Sequence, residues 1–228
     1  MANSAEARLD RLVPSCPGWE VADLIWHVGT VQAFWGMTAS GSITGPDAWR
    51  EPDRPQRRDL VAWFRDGVDL TANILGGLDP DTPAWTWGRR KTVGFIQRRV
   101  AQETVVHCWD ALTAVGCQEP VEQELAVDGV DEFLDEVLPN LSHDLGGHAQ
   151  TISLRTSDSA DEWTVRVGEG SYHLTRFATK ATEADAAVIA SASELLLLLW
   201  GRRDVNQVAV EGELAALKRF LARTAFDL

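Results

Sequence analysis

The 228-residue sequence is short of cysteine, of basic charge and of long apolar runs, and each shortage removes a class of protein. Its three cysteines, Cys16, Cys108 and Cys117, form no even framework and no C-x-x-C pair, so a disulfide scaffold is not expected. Lys and Arg number 21 against 34 Asp and Glu, a net charge of −13. Phosphate backbones are bound through a basic footprint, so the expected partners are small molecules and not nucleic acid. The longest purely apolar run, residues 195–200, is far too short to span a bilayer. The opening stretch Met1-Ala-Asn-Ser-Ala-Glu-Ala-Arg8 lacks the apolar core of a signal peptide. With the cysteine pattern, this predicts a reduced, cytoplasmic protein that does not associate with membranes. A P-loop, a Gly-rich dinucleotide fingerprint and a G-x-S-x-G elbow are all missing.

What is present is ordinary globular material, 45% hydrophobic and 24% charged. It can bury a core as one large domain or two small ones. Ten tryptophans are abundant, and several fall where helices would pack. Residues 4–12 read as a short amphipathic helix, followed by the rigid entry turn Pro14-Ser-Cys-Pro-Gly-Trp19. A helix is predicted over 20–38, with Leu24, Val28, Val31, Phe34 and Trp35 as its apolar stripe and His27 inside that stripe. A Gly-, Pro- and charge-rich loop covers 41–55, and a helix over 57–75 ends at Gly76-Gly77. A loop or short strand at 82–91 leads into a helix over 92–115 that Gly116 caps. A further helix over 122–138 is expected to stop at Pro139. Helices with short connections predict a four-helix bundle over residues 1–140.

After a linker at 140–148 the period changes to two, with strands expected at 151–156, 162–167, 172–178 and 186–190. A buried helix at 193–200, a last strand at 207–210 and an amphipathic helix at 213–224 complete the chain. Strands grouped apart from the bundle predict a second, α+β domain over 149–228 with a mainly antiparallel sheet.

The helix over 92–115 is the unusual element. Arg99, Glu103, His107 and Asp110 fall within about 80° of one another on its circumference. The remaining positions are largely apolar or small, the reverse of a solvent-facing helix, so the charged stripe is expected to point into a core. A buried carboxylate and imidazole need a reason, and metal coordination is one. Glu103 and His107, at i and i+4, reach one point from a single face. With His27 from a facing helix they supply two imidazoles and a carboxylate, a set that suits zinc with an open fourth position, iron and nickel being alternatives.

Asp110 is then placed to orient a ligand, and Arg99 to pair with Glu103 or with an anionic substrate. Arg89, Arg90, Lys91 and Arg98 cluster at and before the start of the same helix and are candidates for binding a carboxylate or phosphate. Cys108 points about 100° away from His107 and is not counted as a ligand. Cys16 is expected to be structural, and His143 and His148 in the linker carry little weight.

The stretch Pro14-Ser-Cys-Pro-Gly-Trp-Glu-Val-Ala-Asp-Leu-Ile-Trp-His27, followed by Glu103-Thr-Val-Val-His-Cys-Trp-Asp110, resembles the mycothiol-dependent maleylpyruvate isomerase family, DinB-type helical bundles of actinobacteria. Val127-Asp-Gly-Val-Asp-Glu-Phe133 and Ser193-Glu-Leu-Leu-Leu-Leu-Leu-Trp-Gly-Arg202 are similar to that family's two-domain form, so the resemblance covers nearly the whole chain. It implies a divalent metal, usually zinc, on His27, Glu103 and His107, with mycothiol as thiol cosubstrate. A thiol on such an ion becomes a thiolate nucleophile at neutral pH. Its addition to a small electrophile and later release would give isomerisation; a retained thioether would give S-transfer. Arg99 and Asp110 would assist the chemistry, and Arg89 and Arg90 would bind the cosubstrate. Few residues precede Pro14 by comparison with the family's first helix, so a monomer with an open side or a homodimer is expected. A different class of reading is a non-catalytic protein whose C-terminal domain, similar to sterol-carrier-like domains, holds an apolar ligand. Stoichiometric metal in the purified protein separates the two.

Overall fold

The computed structural model describes residues 8–141, 147, 149–177 and 184–223. The chain divides into two compact units, Met1–Glu119 and Pro120–Leu228.

The first unit carries three long helices among the described residues: α1 (Val21–Ala39), α2 (Leu60–Gly76) and α3 (Val93–Ala114). Helix α1 starts where the Glu20 amide donates to Asp23 Oδ2 at 2.8 Å, and Arg54 and Arg57 pair with Asp23 and Glu20 at the same end. It packs on both α2 and α3. Against α2 it buries Leu24, Ile25 and Val28 with Leu60, Val61 and Phe64. Toward its C-terminal end, Trp35 and Ala39 join Leu75, Val93, Phe95 and Ile96 in a second cluster. Gly29 is where α2 comes closest: a Cβ there would fall inside the contact radius of the Trp63 ring and 3.3 Å from Phe64. Gly29→Ala is therefore expected to destabilise the first unit by about 1–3 kcal/mol through overpacking, as urea unfolding would measure.

Helix α3 ends as expected at Gly116, whose φ is +78°. The Gly116 amide bonds the Thr113 carbonyl and the Cys117 amide bonds the Leu112 carbonyl, the paired closure of a Schellman motif. The stretch before α3 is a loop that closes on itself through Ala84 N to Lys91 O and Val93 N to Thr82 O, around a single antiparallel bridge of Pro83 to Thr92. The helix expected at 4–12 lies partly outside the described residues. Its described part, from Arg8, forms a turn and a bridge of Leu12 to Glu20, because the rigid turn that follows returns the chain along itself.

The second unit opens with the helix that periodicity assigns to the bundle. Helix α4 (Gln123–Glu132) continues through a π-helical stretch, Phe133–Val137, into α5 (Leu138–Leu141). Pro139 does not stop it: the wider π turn accommodates a proline ring that would clash with the carbonyl four residues back. Helix α4 groups with the second unit because its partners are there. Asp131 accepts from Trp163 Nε1 at 2.6 Å and pairs with Arg176, and the Tyr172 hydroxyl donates to the Leu134 carbonyl.

The sheet contains β1 (Gln150–Thr156), β2 (Glu162–Gly168), β3 (Ser171–Arg176), β4 (Ala186–Ala190) and β5 (Ala209–Gly212), in the order β3-β2-β1-β4-β5. Only the β1–β4 pair is parallel, so the sheet is mainly antiparallel, as its hairpin-like sequence spacing predicts. Helix α6 (Ala192–Leu199), capped by Ser191 and Glu194, packs on α4, and α7 (Leu214–Arg223) packs on β1 and β4. The last strand starts at Ala209 because Val205–Gln207 form a 3-10 turn under an Asp204 cap. Linker residues His143 and His148, and positions 178 and 224, lie outside the described residues. Among the described residues no helix is long and apolar enough to cross a membrane.

Candidate metal centre

The charged stripe of α3 does point inward. Arg99, His107 and Asp110 are 4%, 3% and 0% exposed, on a helix whose opposite side is only half-buried. Three turns of α3 thus hold a cation, a carboxylate, an imidazole and a second carboxylate in one line. His27 comes from α1, whose Gln32 Nε2 also donates to Thr104 Oγ1 of α3 at 2.9 Å and holds the two helices in register.

The geometry converges on one point. Glu103 Oε1 lies 3.2 Å from His27 Nε2 and 3.1 Å from His107 Nε2, and the imidazole centroids are 5.1 Å apart, edge to face. A tetrahedral ion with bonds of about 2.0–2.1 Å separates its ligand atoms by about 3.4 Å. Both separations from Glu103 Oε1 are thus already near the spacing such an ion requires, all three donor atoms lie within 4.8 Å of one another, and two imidazole nitrogens with one carboxylate oxygen fit a divalent ion. His27 and Glu103 side chains keep 29% and 17% exposure against 4% for His107, so the centre opens on the His27 side.

Two of the three candidate ligands are held from behind. Arg99 donates to Glu103 Oε2 at 3.2 Å, leaving Oε1 for the two imidazoles. His107 Nδ1 lies 2.8 Å from Asp110 Oδ2, the carboxylate–histidine arrangement that fixes the tautomer with Nε2 free to coordinate. Burial pushes the Glu103 carboxyl up, but hydrogen bonds from His107 and His27 and the Arg99 charge outweigh it and hold the group well below the ordinary carboxylate range. Burial likewise pushes His107 down, and its bonds to Asp110 and Glu103 reverse this and raise it above the usual histidine value.

The other predicted residues fall elsewhere. Arg89 and Arg90 are exposed in the loop ahead of α3, where the Arg90 carbonyl accepts from Thr86 Oγ1 at 2.6 Å. Glu103 lies about 15 Å along the helix from Val93, so these arginines stand toward the far end of α3 from the ligands. Lys91 Nζ turns to the Thr86 carbonyl at 2.6 Å. Cys108 is half-buried on another face of α3. Sequence reasoning passed over Ser15, whose Oγ donates to Asp110 Oδ1 at 2.5 Å, and Trp19, whose ring lies 5.1 Å from that of His27. Cys16, read as merely structural, is buried with Sγ 4.0 Å from Asp110 Oδ2.

Compared with known families, residues 1–112 match the mycothiol maleylpyruvate isomerase N-terminal domain and residues 124–219 the C-terminal domain of the same family. The chain belongs to the mycothiol maleylpyruvate isomerase family. The family is named for a mycothiol-dependent isomerase, and its N-terminal match takes in His27, Glu103, His107 and Asp110.

A comparison with curated proteins gave no match. Among solved structures, the stereoselective inverting sec-alkylsulfatase from Pseudomonas sp. aligns at 16% identity and a TM-score of 0.39, over 72% of this chain and 28% of its own. A double mutant of the sec-alkylsulfatase aligns at 15% identity and a TM-score of 0.32, over 87% and 33%. This chain therefore spans about a third or less of the length of those enzymes.

Proposed function

We propose that this member of the mycothiol maleylpyruvate isomerase family is a metal-dependent enzyme that uses mycothiol either to isomerise a small electrophile or to transfer its thiol sulfur onto one. The observation that carries the reading is the convergence of His27 Nε2, His107 Nε2 and Glu103 Oε1 on one point with an open side. A divalent ion held there, zinc by its ligand set, would supply the Lewis acidity that makes a thiol a thiolate at neutral pH.

The chain's own residues do the rest. Arg99 holds Glu103 to one-oxygen coordination and keeps its charge compensated. Asp110 keeps the proton of His107 on Nδ1. The open His27 side admits thiol and electrophile, and Arg89 and Arg90 offer positive charge toward the start of α3 for an anionic part of either. Three free cysteines suit a reducing cytoplasm.

The test is incubation of zinc-loaded protein with mycothiol and a panel of activated alkenes and alkyl electrophiles, read by mass spectrometry. Isomerisation returns a product of unchanged mass and free mycothiol; S-transfer returns a thioether, of summed mass for an activated alkene and of summed mass less the departing acid HX for an alkyl electrophile. Purified protein that holds no stoichiometric metal and takes up none on addition would refute the reading.

A further inference from the structure

The entry turn at residues 13–19 is built into the metal centre. It is closed by three backbone bonds, Val13 N to Trp19 O at 2.9 Å, Cys16 N to Val13 O at 3.1 Å and Trp19 N to Cys16 O at 3.0 Å. Buried Val13 and Cys16 anchor it in the core shared by α1 and α2. From this fixed loop the chain touches both arms of the site. Trp19 lies against the His27 ring, at a 60° interplanar angle. Ser15 and Cys16 reach across to α3 and meet the two oxygens of Asp110.

Asp110 is fully buried, and a buried carboxylate is stable only with donors around it. Ser15 Oγ donates to Oδ1 at 2.5 Å, which turns Oδ2 toward Cys16 Sγ and toward His107 Nδ1 at 2.8 Å. The orientation of Asp110, and through it the direction of the His107 Nε2 lone pair, is thus set from outside α3.

We infer that Ser15 is a positioning residue of the metal centre, acting through Asp110 on His107. The inference rests on the metal reading above, with the ion held by His27, Glu103 and His107. Loss of the Ser15 hydroxyl frees the carboxylate to rotate and lets the imidazole ring swing, which weakens coordination without removing a ligand. Such outer partners are worth about 10–100-fold in metal affinity. The hydroxyl acts as a donor at a fixed place, so threonine, which keeps it, replaces serine.

The test uses the full chain and Zn2+, with affinity measured by competition against a chromogenic chelator. Co2+ absorption serves as the spectroscopic signature, and thermal unfolding of the metal-free forms as the control. Ser15→Ala is expected to bind zinc about tenfold or more weakly and to shift the cobalt d–d bands, with Ser15→Thr restoring both. Equal zinc affinity and superimposable cobalt spectra for Ser15→Ala and wild type would overturn the positioning role alone. So would a loss that Ser15→Thr does not restore and that follows the unfolding of the metal-free protein. A wild-type chain that takes up no zinc removes the metal reading itself, and the inference with it.

Discussion

His107→Ala is expected to abolish stoichiometric zinc uptake and, with it, any mycothiol-dependent turnover, while far-UV circular dichroism keeps its helical signal. The substitution deletes one of three converging donor atoms, leaving His27 Nε2 and Glu103 Oε1 alone. Two ligands do not make a structured zinc site, so the loss should exceed the 10–100-fold that removal of an outer partner costs. The same change takes one donor from fully buried Asp110, which keeps that of Ser15, and a lost hydrogen bond to a buried charged group costs about 1.5–3 kcal/mol. Some loss of stability in the metal-free protein is therefore part of the expected result. Glu103→Gln is the complementary variant: it leaves the His107–Asp110 bond in place and keeps the shape, but strips the charge that balances buried Arg99, so it too should cost some stability. It should impair zinc binding as severely. Undiminished zinc affinity in His107→Ala would show that the ion is held elsewhere.

The centre was legible in the sequence to the extent that one helix carries it. Glu103 and His107 declare themselves by i, i+4 spacing on a helix whose polarity is inside out, and Asp110 follows one turn later at the right angle. His27 was visible as a histidine on an apolar stripe, which a second helix had to make meaningful. Ser15 and Trp19 were not legible as site residues, because no periodicity links a turn to a helix about ninety residues later; only the closed loop and its tertiary contact bring Ser15 to Asp110.

The fold shows the same division. Helices and strands came through where local pattern dominates, as with Gly116 ending α3 and the alternating residues of β1 and β2. The grouping of α4 did not, because its amphipathic pattern says that it packs but not against what. Its Asp131 contacts with Trp163 and Arg176, more than thirty residues away, decide that. Pro139 was misread for a related reason: a π turn upstream is a tertiary accommodation that local rules for proline do not anticipate.

Stripping zinc from the loaded protein with a chelator is expected to lower its unfolding temperature by roughly 10 °C, and the drop should grow as pH rises. An ion present at a thousand times its dissociation constant contributes about 4 kcal/mol, and for a chain of this size each kcal/mol moves the midpoint by about 2–4 °C. The pH dependence follows from the two shifted groups. His107 is raised in the folded protein, so its contribution to the metal-free form is fully present below the ordinary histidine value of 6.5 and is lost as pH climbs through the raised one. Glu103 is depressed, so its contribution is present above the ordinary 4.5 and is lost only as pH falls through a value well below that. Metal-free protein should therefore draw most from this network between the two ordinary values and lose ground above 6.5. Zinc behaves in the opposite sense, because it must displace the proton from His107 Nε2 and binds more tightly as that proton becomes easier to remove. Differential scanning of both forms across this range reads the gap directly. A gap that stays constant from acid to alkaline pH would mean that the ion and the His107 proton do not compete for one place. The coordination geometry would then have to be assigned to other atoms.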